Sequence, residues 1–312
     1  MMNGTLWILP ASISSGLLIM KSISDDYVIQ FISNKNVNIV NSIIPLSFLL
    51  LYKLICFSSI VLNFQLISYA FIHNMSIMAI EKSKSLINHE PNAMIIQSLN
   101  ILPTSIYCYY TSAEFDMRMT IPIIITNGVV YVMWYYDNQY TQISSEEDNL
   151  AESLLDNVKR RNYIFLAVLS CGLFTWKDVM LKNIINNNHN FVDIFLAFYF
   201  MNFILTPLYC RVDNQPLVIT YVDNYERVRN NLKATIFYVF SLFADYLSFY
   251  SLLSAFYFTN NISYPRILEN NRLFLEIPLS YAIHDKNLHP IQVIGGTMNG
   301  LSLFLTLYFG RS

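Results

Sequence analysis

The stretch "SSEEDNLAESLLDNVKRRN", Ser144 to Asn162, is the most polar in the chain and decides how the rest is read. On both sides of it apolar runs alternate with short polar breaks, and several approach or exceed the ~20 residues that an α-helix needs to cross a bilayer core. The runs before it are read as spans at 4–20, 38–52, 56–80, 92–112 and 117–136, and those after it as spans at 163–182, 191–210, 233–258, 264–284 and 289–309. Residues 38–80 are too long for one crossing and are divided at Lys53. Five spans per part is an odd number, so the second part inserts upside down relative to the first, which is the inverted-repeat plan of secondary transporters. The expected fold is an all-α polytopic membrane protein with ten transmembrane helices in two inverted five-helix repeats. The repeats cover residues 1–137 and 163–312, joined by a polar loop over 138–162.

Composition agrees with that expectation. Hydrophobic residues make up 54% of the 312 and aromatic residues 15%, while charged residues are 13%, against about 25% in an ordinary soluble domain. One apolar run would fit a cleaved signal peptide, but ten do not. The bilayer is thus an expected partner, and nucleic acid is not, because no basic arm or stripe is present to follow phosphates. Cys56, Cys108, Cys171 and Cys210 are too scattered for a metal site or a disulfide framework and are read as small packing residues. No GxSxG, Walker loop or HExxH occurs, so no enzyme activity, catalytic residue, cofactor or metal is expected. His189 and His289 sit in polar breaks and are read as exposed.

The two parts align best in their last two spans. "SLNILPTS" (Ser98–Ser105) and "LFLEIPLS" (Leu273–Ser280) superpose with proline and serine in register, each followed by a charged break, "AEFDMR" or "HDKN". In the preceding spans "FIHNMSIMAI" from Phe71 is the counterpart of "FADYLSFYSLL" from Phe243, which sets His73 and Asn74 opposite Asp245 and Tyr246.

Charged groups in a membrane interior are costly, so each marks a cavity or a partner. In "LENNRLFLEIP" (Leu268–Pro278), Glu269, Arg272 and Glu276 follow an i, i+3, i+7 spacing and share one helix face. One reading is a stripe lining a water-filled path, with Arg272 gripping a phosphate and the carboxylates holding it or reading hydroxyls. The other is an ion pair that packs one helix on another. Asp245 carries a coupling proton, reads a solute hydroxyl, or reaches interfacial water. Lys21, Lys177 and Lys182 lie near span ends, where lysines commonly extend to the interface; Lys21 is kept as a candidate ligand. The candidate substrate-binding residues are Arg272, Glu269, Glu276, Asn271, Asp245, Tyr246, Asn74, Gln97 and Lys21.

The segment from Ile262 to Gly295, "ISYPRILENNRLFLEIPLSYAIHDKNLHPIQVIG", resembles the ninth-to-tenth span signature of UAA-type nucleotide-sugar transporters. These form the B branch of solute carrier family 35, in the drug/metabolite transporter superfamily. That signature has an Arg-Lys pair, an apolar run ending in Leu-Ser, then Leu-Ser-Pro-Leu-Gln and a glycine; Arg272, Leu279-Ser280, "LHPIQ" and Gly295 fall into its register. "HNMSIMAI", "PNAMIIQSL" and "MLKNIINNNHNFVDIFLAFYFMNFILTP" are similar to further segments of the family, and within it the likeness is greatest to UDP-N-acetylglucosamine and UDP-xylose transporters. Two family cations are missing: the lysine after the arginine is Leu273, and the first-part arginine is Gln97.

The resemblance implies an antiporter of the Golgi or endoplasmic reticulum membrane. It would exchange a nucleotide sugar, such as UDP-N-acetylglucosamine, for a nucleoside monophosphate by alternating access, with Arg272 at the diphosphate; a homodimer stays open. The family's termini lie in the cytosol, whereas the distribution of basic residues along this chain favours the opposite side, so orientation also stays open. The rival readings are a transporter of the same superfamily for an amine, amino acid or vitamin, and a non-transporting membrane scaffold.

Overall fold

The computed structural model describes residues 6–29, 34–86, 101–111, 116–143, 150–212, 225–259, 261–270 and 290–309. The described residues form ten α-helices, and no strand occurs among them. They are α1 (Ile8–Ile29), α2 (Asn34–Ile55), α3 (Phe64–Leu86), α4 (Ile101–Thr111), α5 (Thr120–Ile143), α6 (Leu150–Asn186), α7 (Phe191–Val212), α8 (Tyr225–Phe258), α9 (Ser263–Asn270) and α10 (Pro290–Phe309). A single 3-10 turn, Met117–Met119, precedes α5. Each of the ten apolar segments expected from sequence overlaps one of these helices.

The polar loop expected over 138–162 is largely helical. α5 runs to Ile143 and α6 starts at Leu150, leaving 144–149 outside the described residues. The physical reason is that Ala, Glu, Leu, Lys and Arg, which dominate "LAESLLDNVKRR", are strong helix formers whatever their hydropathy. The division expected at Lys53 falls a few residues later. Phe57 takes a left-handed φ of 48°, its N–H bonds to the Leu54 carbonyl, and the Ser58 N–H bonds back to the Lys53 carbonyl, closing α2 in a Schellman motif. The same motif ends α6, with Asn188 at φ 58° and the Asn188 and His189 N–H groups bonded to the Ile185 and Ile184 carbonyls. Asparagine caps then open the next helices. The Asn63 carboxamide accepts the Leu66 N–H at 2.9 Å, and that of Asn190 accepts the Val192 N–H at 3.0 Å.

α1 packs along α8, α3 along α6, and α5 along α10; α2 and α3 both lie against α7, α1 also meets α9, and α4 touches α5, α6 and α9. Two apolar clusters result. One joins α2, α3, α6, α7 and α8 through Leu49, Leu66, Tyr69, Phe195, Leu253 and Phe256; the other joins α1, α4, α5, α8 and α9 through Trp7, Ala11, Ile101, Ile123, Ala255 and Ile267.

Polarity is distributed the opposite way from a soluble domain, where lysine, arginine and the acids are almost never fully buried unless paired and the exterior is polar. Lys53, Lys177, Asp178, Lys182, Asp193, Arg266 and Glu269 are all buried, while Leu9, Phe48, Leu54, Phe64, Ile124, Phe165 and Phe304 are exposed. Two helical segments, Arg161–Asn186 and Ile236–Phe258, are long and apolar enough to cross a membrane.

Candidate functional site

Among the described residues three charged groups of side chains lie between the helices, each joining residues far apart in sequence. The largest is at the junction of α6 and α9. Arg266 places its guanidinium fork on Asp178, with Nε donating to Oδ2 at 2.6 Å and Nη2 to Oδ1 at 2.5 Å, and its Nη1 donates to Glu269. The Lys177 ammonium lies 3.2 Å from Asp178 and 4.8 Å from the Phe174 ring centroid. The Arg266 guanidinium lies over the Phe256 ring at 5.6 Å. Two cations and two carboxylates thus compensate one another in a place from which water is excluded: Asp178 is 0% exposed and Lys177 3%.

The partner of Glu269 on the described part of α9 is Arg266, three residues earlier on the same face. Arg272, Glu276 and Asn271 lie outside the described residues, as does Gln97, so the expected stripe is described only at Glu269. Lys177 does not extend to an interface, because the Asp178 carboxylate, itself gripped by the Arg266 fork, holds it inside. Lys182 is also turned inward, donating to the Phe256 carbonyl at 2.7 Å and the Thr259 carbonyl at 2.6 Å, where it ties off the end of α8.

The second group pairs Lys53, at the end of α2, with Asp193, in the first turn of α7, at 2.7 Å; Lys53 also donates to the Ser59 carbonyl at 2.9 Å. The cation at a helix C-terminus and the carboxylate at a helix N-terminus each suit the local dipole. The third group brings together two candidates read separately from sequence. The Lys21 ammonium of α1 lies 3.5 Å from Asp245 of α8, and here the side chains are 28% and 38% exposed. Tyr246, next to Asp245, stacks its ring on Phe195 at 4.5 Å.

Asn74 is buried and binds backbone rather than a free path: its amide donates to the Ala70 carbonyl at 2.8 Å and the Phe198 carbonyl at 3.3 Å, joining α3 to α7. Its neighbour His73 accepts or donates at 3.2 Å with the Tyr69 hydroxyl and stacks on Phe198 at 4.5 Å. Asn74 and Asn261 each begin an Asn-X-Ser sequon, yet both side chains are buried. Neither is expected to carry a glycan, and peptide mapping after enzymatic deglycosylation in water labelled with the heavy oxygen isotope should find both as unlabelled asparagine. His189, read as exposed, is half-buried and faces the Asn63 amide at 3.4 Å; His289 lies outside the described residues. Cys108 and Cys171 are buried and Cys56 is exposed, all as free thiols. Among the described residues no cluster of His, Cys, Asp or Glu is suited to a metal ion.

The residues missed from sequence are Asp178, Arg266, Lys53 and Asp193. Their signal was present: a Lys-Asp pair inside an apolar run, an i, i+3 Arg/Glu pair ahead of Arg272, and an acid three residues past the helix-capping Asn190. No protein-family profile matches the chain, and no curated protein sequence matches it.

Proposed function

We propose that the chain is a polytopic membrane transporter built of two inverted five-helix repeats, and that it exchanges a nucleotide sugar for a nucleoside monophosphate by alternating access. The observation that carries the repeat reading is how the helix pairs exchange. Carrying each helix five places along the chain turns α1–α8 into α6–α3, α1–α9 into α6–α4 and α4–α5 into α9–α10, while α2–α7, α4–α9 and α5–α10 turn into themselves. Contacts between two similar, interleaved halves have this property. Four pairs depart from it: α3–α7, α6–α8, α5–α9 and α8–α9 are each more extensive than their counterparts α8–α2, α1–α3, α10–α4 and α3–α4.

Hydrogen bonds support the same correspondence. Ser14 of α1 meets Ser248 of α8 at 3.2 Å, and Ser170 of α6 donates to the Ser76 carbonyl of α3 at 3.2 Å, with Ser248 and Ser76 already in register by sequence. Thr126 and Ser302 face each other at 2.6 Å between α5 and α10, the two last helices of the halves. The charged interior and apolar exterior support insertion in lipid, where exposed leucine and phenylalanine side chains need no partner and charges must find one.

The solute class rests on the family resemblance and on Arg272. Reconstitution into liposomes loaded with UMP or GMP, followed by a scan of nucleotide sugars, tests it. Arg272→Ala is expected to lower exchange by about tenfold or more, the loss of one charge-assisted bond to phosphate. Exchange of no nucleotide sugar by the folded protein overturns that solute class. A second reading, the same plan serving another small solute, is favoured by one observation: Lys177 and Arg266 are already neutralised by Asp178 and Glu269 and offer no surplus positive charge to a diphosphate.

A further inference from the structure

We infer that Lys21 and Asp245 form a water-accessible solute-contact station between α1 and α8. The station takes a small solute that carries an anionic group for Lys21 and a hydroxyl or amine donor for Asp245. The inference rests on the transporter reading for its setting, and on three observations for its content.

The first is depth. Asp245 lies about 20 Å along the helix from the Phe258 end of α8. That is well inside a hydrocarbon core of about 30 Å. The second is exposure. At this depth a lysine and an aspartate facing acyl chains would lose their hydration without replacement, yet the two side chains are 28% and 38% exposed and their charged atoms sit 3.5 Å apart. Water rather than lipid therefore meets them. An exposed ion pair of this kind contributes at most about 1 kcal/mol.

The third is the contrast with the corresponding place in the other half. Lys21 follows Ser14 by two helical turns and Lys177 follows Ser170 by the same two turns; Asp245 precedes Ser248 by three residues and His73 precedes Ser76 by three. The Ser14–Ser248 and Ser170–Ser76 contacts align the two places. At the α6–α3 place the lysine is shut in with Asp178, Arg266 and Glu269, all buried. At the α1–α8 place the lysine and the aspartate are both partly exposed. The protein thus holds one place closed and its counterpart accessible.

The test uses the full chain with Cys56, Cys108, Cys171 and Cys210 changed to serine, carrying either Lys21→Cys or Asp245→Cys, in sealed proteoliposomes of known orientation. A membrane-impermeant maleimide is expected to label both positions from one face only. Labelling by a lipid-soluble maleimide alone, or by neither reagent, overturns the inference. A charge swap, Lys21→Asp with Asp245→Lys, then separates a solute contact from a structural pair. The swapped protein is expected to melt within a few degrees of the parent, because the pair is kept, and to lose nucleotide-sugar exchange at least tenfold, as each single alanine variant should. Restored exchange in the swap, or full exchange in both single variants, also overturns it. The labelling arm needs no substrate. Labelling with no exchange therefore sinks the nucleotide-sugar reading and leaves the station standing, whereas exchange without labelling does the reverse.

Discussion

Asp178→Asn is expected to destabilise the fold by about 3–5 kcal/mol, the cost of breaking a buried ion pair by removing one partner. The substitution keeps the shape of the side chain and removes its charge. Arg266 then loses the carboxylate it grips through two nitrogens, Lys177 loses its neighbour at 3.2 Å, and the group is left with two cations and the single carboxylate of Glu269. Thermal unfolding of the detergent-solubilised protein should show the loss, and the variant should aggregate where the parent stays monodisperse. Adding Lys177→Met to Asp178→Asn returns the group to one cation and one anion and is expected to recover part of the loss. A drop of less than about 1 kcal/mol for Asp178→Asn, the scale of an exposed pair, would show that solvent reaches the junction of α6 and α9.

That junction also marks where sequence reading ran out. Apolar runs of helical length located ten segments, because burial in lipid or in an apolar core selects hydrophobic residues whatever their partners. Boundaries were harder. Hydropathy registers only the apolar part of a helix, so the helical residues from Leu150 to the first apolar turn of α6 read as a break. Side-chain pairing was harder still. Arg266 meets Asp178 across 88 positions of sequence, and no local period connects them. The neighbouring Lys177 looked like a lysine reaching for an interface, because that choice follows from the residue type and its place near a span end; the decisive fact was the Asp178 carboxylate beside it, buried together with the one cation and one carboxylate brought in by α9.

Lys21 and Asp245 show the opposite outcome. Each stood out alone as an ionisable group in or beside an apolar run, and the fold places them 3.5 Å apart. Asp245 had stood out through the proposed internal register, which set it opposite His73, whereas Lys21 stood out only as a cation at the end of an apolar run. Asn74 stood out by the same register, yet its amide is spent on two carbonyls and it serves the α3–α7 contact. Register identifies equivalent places; whether the residue there faces a path or a backbone depends on the packing around it.

Lys53→Met is expected to destabilise the fold by about 2–4 kcal/mol, less than Asp178→Asn. It strands Asp193, which is 6% exposed, and also removes the donor to the Ser59 carbonyl at 2.9 Å. Asp193 nevertheless sits in the first turn of α7, where the free N–H groups and the dipole favour a negative charge by about 0.3–1 kcal/mol, and up to ~2 when partly buried. No such compensation exists for the cations left by Asp178→Asn. The double variant Lys53→Met with Asp193→Leu should lie within about 1 kcal/mol of the parent, because two desolvated charges are replaced by apolar volume and only the Ser59 carbonyl loses its bond. Denaturation of the three proteins in the same detergent gives the comparison. A double variant as unstable as Lys53→Met would mean that the Ser59 carbonyl, rather than the carboxylate of Asp193, is what Lys53 holds in place at the turn between α2 and α3.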